Sequence, residues 1–217
     1  MRLIGMLDSP YVRRVAVSLQ LLGLAFEHRS LSVFRQFDEF ARINPVVKAP
    51  TMVCDDGGVL MDSSLIIDYA EALALARQTT RRSLMPAALA ERQRCLQLTG
   101  LALAACEKSV QIHYERARPA DRQLAPWLAR LSTQAAGAYA ALEAEFAAQP
   151  LPADEASLTH AAVASAVAWR FTQFLVPDVA PPQAHPALAE FTVRAERQPA
   201  FVATPPDENH VATYRCD

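Results

Sequence analysis

The apolar pattern of this 217-residue chain changes near residue 77. Before that point, short apolar runs alternate with stretches of helical periodicity, which predicts the order βαβαββα. After it the pattern is helical throughout and is punctuated by proline. The predicted strands are 2–7, 25–31, 51–54 and 59–61, and the predicted helices between and after them are about 10–22, 34–43 and 63–76. The sequence thus predicts an α/β domain at 1–76, a linker at 77–85 and an all-α domain at 86–217.

Individual residues at the ends of the predicted elements support these predictions. Pro10 suits the first turn of a helix, where its missing N–H is not needed, and Gly23 stands where that helix is expected to end. Arg13 and Arg14 fall off the apolar stripe of this helix. The turn residues at 55–58 (Asp-Asp-Gly-Gly) separate two short strands, which predicts an antiparallel hairpin.

In the second half, the predicted helices are about 87–116, 121–148 and 156–174, with shorter ones near 186–197 and 199–203. Residues 161–169 are apolar almost all round, which is typical of a helix in the middle of a bundle. One face of the 121–148 helix is predicted to be buried, through Leu124, Trp127, Leu128, Leu131, Ala138, Leu142 and Phe146.

Composition excludes several classes of function. Lys plus Arg is 21 and Asp plus Glu is 23, a net charge of −2 with no clustered basic patch, so no nucleic-acid partner is expected. No stretch approaches the roughly 18 apolar residues of a membrane span, and no secretory signal is recognised. The four cysteines are scattered and the five histidines lack ligand spacing. We therefore expect no metal, no membrane association and a reducing, cytoplasmic location.

Three junctions between elements carry chemistry-bearing residues. Ser9 lies between the first strand and the first helix, Ala49-Pro50 lies before the third strand, and Asp62-Ser63 lies before the third helix. The start of a helix presents unpaired N–H groups and a partial positive charge. A serine there is either a simple N-cap or a hydroxyl available to a ligand. Pro50 is either a trans proline opening an edge strand or a cis proline that turns the backbone of Ala49 outward.

The order and spacing of these junctions resemble the glutathione transferase family. The stretch Asn44-Pro-Val-Val-Lys48-Ala49-Pro50, followed by Asp62-Ser63, is similar to the family's Asn-Pro-x-Gly-Lys-Val-Pro and Glu/Asp-Ser. The resemblance implies a thioredoxin-like domain that binds glutathione as a co-substrate, a helical domain and a cytoplasmic homodimer acting in detoxification.

The resemblance also implies a role for each matching residue. Lys48 would reach the glycine carboxylate, and Ala49 before a cis Pro50 would pair with the cysteinyl backbone. Ser63, expected to be the N-cap of the third helix, would bind the γ-glutamyl α-carboxylate, and Asp62 the adjacent ammonium. Each has a plainer alternative: Lys48 as a solvated surface residue and Asp62-Ser63 as a helix cap beside a solvated acid.

Ser9 matches the family's catalytic position. Lowering a thiol pKa from about 8.5 to about 6.5 needs roughly 2.7 kcal/mol. A charge-assisted hydrogen bond contributes about 1.5–3 kcal/mol, and a helix terminus about 0.3–1. A hydroxyl at this position is therefore sufficient without a metal. No cysteine lies at 8–11, which disfavours a mixed disulfide through the protein's own thiol.

The second substrate would be an apolar electrophile, bound by Tyr11, His113 and Tyr114, with Arg116 as a further contributor. Two positions depart from the family pattern. Val47 stands where glycine is frequent, and His160 takes the place of the acid in the capping box that begins at Ser157, where Asp154 or Glu155 could substitute.

Three functions remain open from the sequence. The first is a transferase that attacks an electrophilic carbon with the glutathione thiolate, the second a non-catalytic binding protein of the same fold. The third is a glutathione-dependent disulfide reductase or peroxidase. The serine-rich stretch of the zeta-type isomerases is reduced to Ser9 alone, so that activity is disfavoured.

Overall fold

A computed structural model describes residues 1–79 and 82–206 and divides the chain into two compact units. The first contains Met1–Leu84 and the described residues from Pro199 onward, and the second contains Met85–Gln198. The strands are β1 (Arg2–Ile4), β2 (Glu27–Arg29), β3 (Thr51–Val53) and β4 (Val59–Met61). The helices are α1 (Pro10–Leu21), α2 (Phe37–Ala41), α3 (Ser63–Arg77), α4 (Leu89–Ala117), α5 (Ala125–Ala148), α6 (His160–Leu175), α7 (Pro186–Ala195) and α8 (Pro199–Val202).

The first unit has the predicted order βαβαββα around a four-stranded sheet in the order β2-β1-β3-β4. β1 pairs in parallel with β2 and antiparallel with β3, whereas β3 and β4 form the predicted antiparallel hairpin. Its turn is closed by the backbone of Cys54 and Gly58, 2.8 Å from nitrogen to oxygen. The thioredoxin-like fold class that the sequence predicts is therefore confirmed, although β1, β2 and α2 are shorter than expected.

Helices α1 and α3 pack against each other and share one apolar core with β1 and β3. A second cluster, Ile4, Leu31 and Phe40, packs α2 against β1. At the end of α1, Gly23 adopts a φ of +65°, a left-handed conformation that ends helices and that glycine tolerates. Gly23 is thus the helix stop that the sequence predicts.

The first unit extends further along the chain than the predicted boundary at residue 76. Leu84 is fully buried in its core, and the Leu84 N–H donates to the Glu71 carboxylate at 2.8 Å. The segment from Pro199 also belongs to it, because Arg13 donates from Nε to the Thr204 carbonyl at 2.9 Å and covers the Phe201 ring. The remainder of the predicted helical domain, 207–217, and residues 80–81 of the predicted linker lie outside the described residues.

The second unit is helical, and α6 packs against α4 and α7. Ten consecutive residues from His160 to Trp169 are buried, as the apolar pattern predicts. On α5 the face of Leu131, Ala138, Leu142 and Phe146 is buried, but the prediction is wrong for Leu124 and Trp127, which are exposed. Leu124 lies before the first turn of α5, which begins only at Ala125.

Two helices of this unit are capped in ways that the sequence did not predict. The N-cap of α6 is Thr159, whose hydroxyl accepts from the Ala162 N–H at 3.4 Å, and His160 is the first helical residue. A capping box that runs from Ser157 to His160 is therefore wrong, because the N-cap lies two residues later in the chain. Asp154 and Glu155 lie at the 3-10 turn before the helix. For α7, the Glu143 carboxylate on α5 accepts from the Ala187 and Leu188 N–H groups, each at 2.9 Å.

A polar network crosses the core of the second unit. The Tyr139 hydroxyl donates to the Ala168 carbonyl at 3.0 Å, and Thr172 donates to Ser109, which in turn donates to the Ala105 carbonyl. Burial raises the pKa of Tyr139 above its ordinary value. Among the helices of the described ranges, none is both long and apolar enough to cross a membrane.

Candidate active site

Ser9 occupies the N-cap position of α1 but does not act as a cap. Its backbone is extended, and its carbonyl accepts from the Arg13 N–H at 2.9 Å. Within the described residues, the half-buried Ser9 hydroxyl makes no side-chain bond to the first turn. Pro10 follows directly and offers no N–H. The simple capping role is therefore wrong for Ser9, and the hydroxyl stays available at the positive end of the helix.

Gly5 brings the end of β1 against the loop that carries Ala49. Its φ is +131°, and a Cβ on it would lie 2.7 Å from Val12 Cγ2 and 3.0 Å from Ala49 Cβ. The first distance is too short for any real side chain. His28 holds the same residue from the other side, since its Nε2 donates to the Gly5 carbonyl at 2.7 Å. Only glycine allows this approach between the strand before Ser9 and Ala49.

The loop from 44 to 51 is shaped by the buried Asn44. Its Nδ2 donates to Thr51 Oγ1 at 2.8 Å, and its Oδ1 accepts from the Val46 N–H at 3.0 Å. Thr51 in turn donates to the Lys48 carbonyl at 2.7 Å. The Ala49-Pro50 peptide bond is cis, as the resemblance implied. Asn44 was quoted in the motif but was not expected to organise the loop, a role set by contacts that sequence spacing does not reveal.

Val47, which stands where the family often has glycine, adopts a φ of +52°. A β-branched residue in this left-handed region is strained, at a cost of about 1–2 kcal/mol. The loop therefore keeps the backbone shape that glycine would adopt freely, and the Val47 side chain packs on the cluster of Ile4, Leu31 and Phe40. The departure at this position changes the energy of the loop rather than its shape.

The structure brings Lys48 and Asp62 together. Lys48 Nζ lies 3.5 Å from Asp62 Oδ2, and both side chains are about half exposed. An exposed pair of this kind contributes about 0–1 kcal/mol and yields readily to a ligand. The two residues that the resemblance assigns to opposite ends of glutathione thus contact each other in this structure.

Asp62, and not Ser63, is the N-cap of α3. Its Oδ1 accepts from the Ser64 N–H at 2.9 Å, and its φ is +73°. Ser63 is the first residue of the helix and is buried. The predicted cap is therefore wrong by one residue, because the short aspartate side chain reaches the amide of its own helix. The serine hydroxyl is consequently not used for capping.

Arg14 was not predicted as part of the site. Arg13 and Arg14 were placed off the apolar stripe, yet both are buried, at 2% and 4% exposure. Arg14 Nη1 donates to Ser63 Oγ and to Ser64 Oγ, each at 3.0 Å. Helix α1 is buried over both of its faces, so its charged residues face partners rather than solvent. A pair of adjacent arginines inside an otherwise apolar helix is the signal that could have found them.

The predicted second-substrate residues belong to both units. Tyr11 is half-buried in the first turn of α1, in the first unit. His113 and Tyr114 lie on α4 in the second unit, where their ring centroids are 5.7 Å apart. Burial lowers the pKa of His113 below its ordinary value, so the neutral imidazole is favoured. Arg116 forms a bidentate pair with Asp178, at 2.8 Å for each bond, and the guanidinium lowers the pKa of that carboxyl.

Metal ions in proteins are commonly held by groups of His, Cys, Asp or Glu side chains. Among the described residues, no group of three such side chains could hold an ion. Cys54, Cys95 and Cys106 are buried and form no disulfide with one another, and Cys216 falls outside the described residues. The side chains gathered at the two helix starts and the loop are hydroxyls, a carboxylate and two cations.

Comparisons with known proteins agree with the fold described above. Residues 3–78 match the N-terminal domain of glutathione S-transferases. A glutathione transferase family member from Pseudomonas fluorescens Pf-5, solved with bound S-(propanoic acid)-glutathione, is 32% identical, with a TM-score of 0.77 over 95% of this chain and 99% of that one. A glutathione S-transferase from Methylobacterium radiotolerans, in complex with glutathione sulfonate, is 25% identical, with a TM-score of 0.83 over 94% of each chain. The uncharacterised protein YibF of Escherichia coli, described as glutathione transferase-like, is 27% identical over 169 residues, which cover 78% of this chain and 81% of that one.

The strand order, the two helix starts and the cis-proline loop define a thioredoxin-like unit joined to a helical unit. The chain belongs to the glutathione transferase family.

Proposed function

We propose that this protein is a glutathione transferase that uses Ser9 to stabilise the glutathione thiolate. The observation that carries the proposal is the Ser9 hydroxyl, which stands at the N-terminus of α1 without capping it. A hydroxyl donor and a helix terminus together favour a thiolate by about 2–4 kcal/mol. The thiolate then attacks an electrophilic carbon, a carbon–sulfur bond forms, and the leaving group departs with its electron pair.

The binding roles follow the residues around Ser9. Ala49, before the cis Pro50, would pair with the cysteinyl backbone as a neighbouring strand would. Ser63 and the start of α3 would bind the γ-glutamyl α-carboxylate, and Asp62 the ammonium beside it. Lys48 would leave its pairing with Asp62 to reach the glycine carboxylate. Relatives solved with glutathione derivatives support a tripeptide of this kind as the ligand.

The electrophile would be a small apolar molecule, and detoxification would be the role of the reaction. On the second unit, His113 and Tyr114 of α4 would contribute to its binding. His113 suits an apolar pocket because its lowered pKa keeps the ring neutral. No residue beyond Ser9 is required for the chemical step, since a thiolate is already the nucleophile.

A cytoplasmic homodimer would be the working form. The first unit carries exposed apolar side chains on two neighbouring elements, Val59 and Met61 on β4 and Leu65 and Tyr69 on α3. Apolar residues grouped on one face favour burial against another protein surface. Gel filtration with light scattering tests this: a mass of twice 23.8 kDa is expected, and Leu65→Glu should shift it to the monomer.

Calorimetric titration with reduced glutathione tests the proposed binding, and conjugation to an activated aryl halide tests the chemistry. We expect micromolar to low-millimolar binding, together with a bound thiol that titrates well below its usual pKa of about 8.5. Binding with an unshifted thiol and no conjugation would contradict the enzyme and leave a binding protein. Turnover of a mixed disulfide without conjugation would instead identify a reductase.

A further inference from the structure

We propose that Arg14 is a positioning residue for the α-carboxylate of the γ-glutamyl group, acting through the hydroxyls of Ser63 and Ser64. The inference rests on the proposed binding of glutathione and extends it to a residue on a different helix. Arg14 lies on α1, whereas the two serines form the first turn of α3. A single guanidinium nitrogen joins these elements, with 3.0 Å to each hydroxyl oxygen.

The direction of these hydrogen bonds matters. A guanidinium can only donate, so both serine oxygens act as acceptors toward Arg14. Each hydroxyl has one proton, which therefore points away from Arg14 and can be donated to another group. Two hydroxyl protons at the start of one helix suit the two oxygens of a carboxylate. Arg14 in this way orients the hydroxyl protons of Ser63 and Ser64 toward the ligand without contacting the ligand itself.

The capping of α3 removes one of the amides that a carboxylate could otherwise use. Asp62 already accepts the Ser64 N–H, so that amide is not available to a ligand. Asp62 also places a negative charge beside the position where a carboxylate would bind. The Arg14 guanidinium is charged at any physiological pH and is only 4% exposed, so solvent screens it weakly. Its positive charge lies within hydrogen-bond distance of the Ser63 and Ser64 hydroxyl oxygens.

Arg13 provides a matched comparison within the same helix. It is buried to a similar extent, but its guanidinium donates to the Thr204 carbonyl and covers the Phe201 ring. Both arginines support the packing of α1. Of the two, Arg14 alone contacts the first turn of α3 among the hydrogen bonds of the described residues. Arg13→Met therefore controls for the loss of a buried arginine from this helix.

The test measures discrimination between two ligands by calorimetry. One is glutathione, and the other is its analogue with the γ-glutamyl α-carboxylate replaced by a carboxamide. For Arg14→Met we expect glutathione affinity to fall about 5- to 30-fold, the range that corresponds to 1–2 kcal/mol, with little change for the amide. Arg14→Lys keeps the charge without the planar fork and should fall between Arg14→Met and the native protein. The double variant Ser63→Ala, Ser64→Ala should lose the same discrimination while Arg14 is retained.

Arg13→Met should lower the urea midpoint but keep the native ratio between the two ligands. An equal loss for both ligands in Arg14→Met would overturn the proposal, because it would indicate a purely structural role. Unchanged discrimination in the serine double variant would overturn it as well, even if Arg14→Met did not fold. Failure of the native protein to bind either ligand would instead refute the proposed function itself.

Discussion

The two helices that border the candidate site begin in different ways. At α3, Asp62 caps the first turn, and its side chain accepts the Ser64 N–H at 2.9 Å. At α1, Ser9 occupies the same position, but its hydroxyl does not cap the helix. Serine and aspartate are equally good caps by preference. The difference therefore lies in how each side chain is used, and not in what it is able to do.

The two side chains are therefore expected to contribute to different properties, Asp62 to the stability of the fold and Ser9 to the reaction. A side chain that caps its own helix contributes to folding and has less capacity left for a ligand. A hydroxyl that does not cap its helix contributes little to folding, and its proton remains available to a ligand. We therefore expect substitution of the capping Asp62 to lower the free energy of unfolding, and substitution of Ser9 to lower the reaction rate with little effect on stability.

The largest effect is expected where β1 approaches α1. Gly5→Ala would place a Cβ 2.7 Å from Val12 Cγ2 and 3.0 Å from Ala49 Cβ, at a φ of +131°. Overpacking costs about 1–3 kcal/mol, and backbone strain adds about 1–3. Urea unfolding should show a loss of roughly 2–5 kcal/mol.

Gly58→Ala, in the exposed hairpin turn, serves as the control, since the φ of Gly58 is ordinary and its nearest neighbour is the flexible Asp56 side chain. A Gly5→Ala protein as stable as the control would show that the strand and the loop can separate without cost. The start of α1 would then not depend on this close approach.

The next largest effect is expected from Ser9→Ala, which should lower the reaction rate. Loss of one hydrogen bond to a thiolate, about 1.5–3 kcal/mol, corresponds to a fall in kcat/KM of about 10- to 160-fold. The free energy of unfolding should change by less than about 0.5 kcal/mol, because no cap is lost. Ser9→Thr keeps the hydroxyl and should retain part of the rate. A clear loss of stability with an unchanged rate would reverse the contrast between the two helices.

At α3 the expected effect is on stability. Asp62→Ala removes the cap, which costs about 0.5–2 kcal/mol, and places alanine at a φ of +73°. Asp62→Gly also removes the side chain, but glycine adopts that φ freely and is a tolerable cap. We therefore expect Asp62→Ala to be less stable than Asp62→Gly in urea. Equal stability of the two variants would mean that the left-handed backbone at Asp62 carries no cost.

Much of the first unit could be predicted because periodicity is a local property. Alternating apolar runs located all four strands, and the turn at 55–58 identified the hairpin. The cap of α3 was missed by one residue because the φ of +73° at Asp62 is not visible in residue type. Leu124 fits the buried-helix pattern but is exposed because α5 begins only at Ala125, and Trp127 is exposed within the first turn of that helix.

The contacts that complete the site could not be read from spacing. Arg14 meets Ser63 across 49 residues, and Arg13 meets Thr204 across 191. A polar residue on a helix normally indicates a solvent face, yet α1 packs on both sides. Contacts at such separations depend on how elements pack, which a single sequence does not state. The network of Asn44 and Thr51 escaped prediction for the same reason.

The smallest effect concerns the other left-handed residue of the site, Val47. Val47→Ala loses packing and keeps a side chain at a φ of +52°, whereas Val47→Gly loses the same packing and relieves the strain. Relief of about 1–2 kcal/mol, less a flexibility cost of about 0.5–1, should make the glycine variant more stable by about 0.5–1. At Val53 in β3, where φ is ordinary, alanine should be the more stable by a similar amount. The same order at both positions, measured by urea unfolding, would mean that Val47 is unstrained and that glycine has no advantage in this loop.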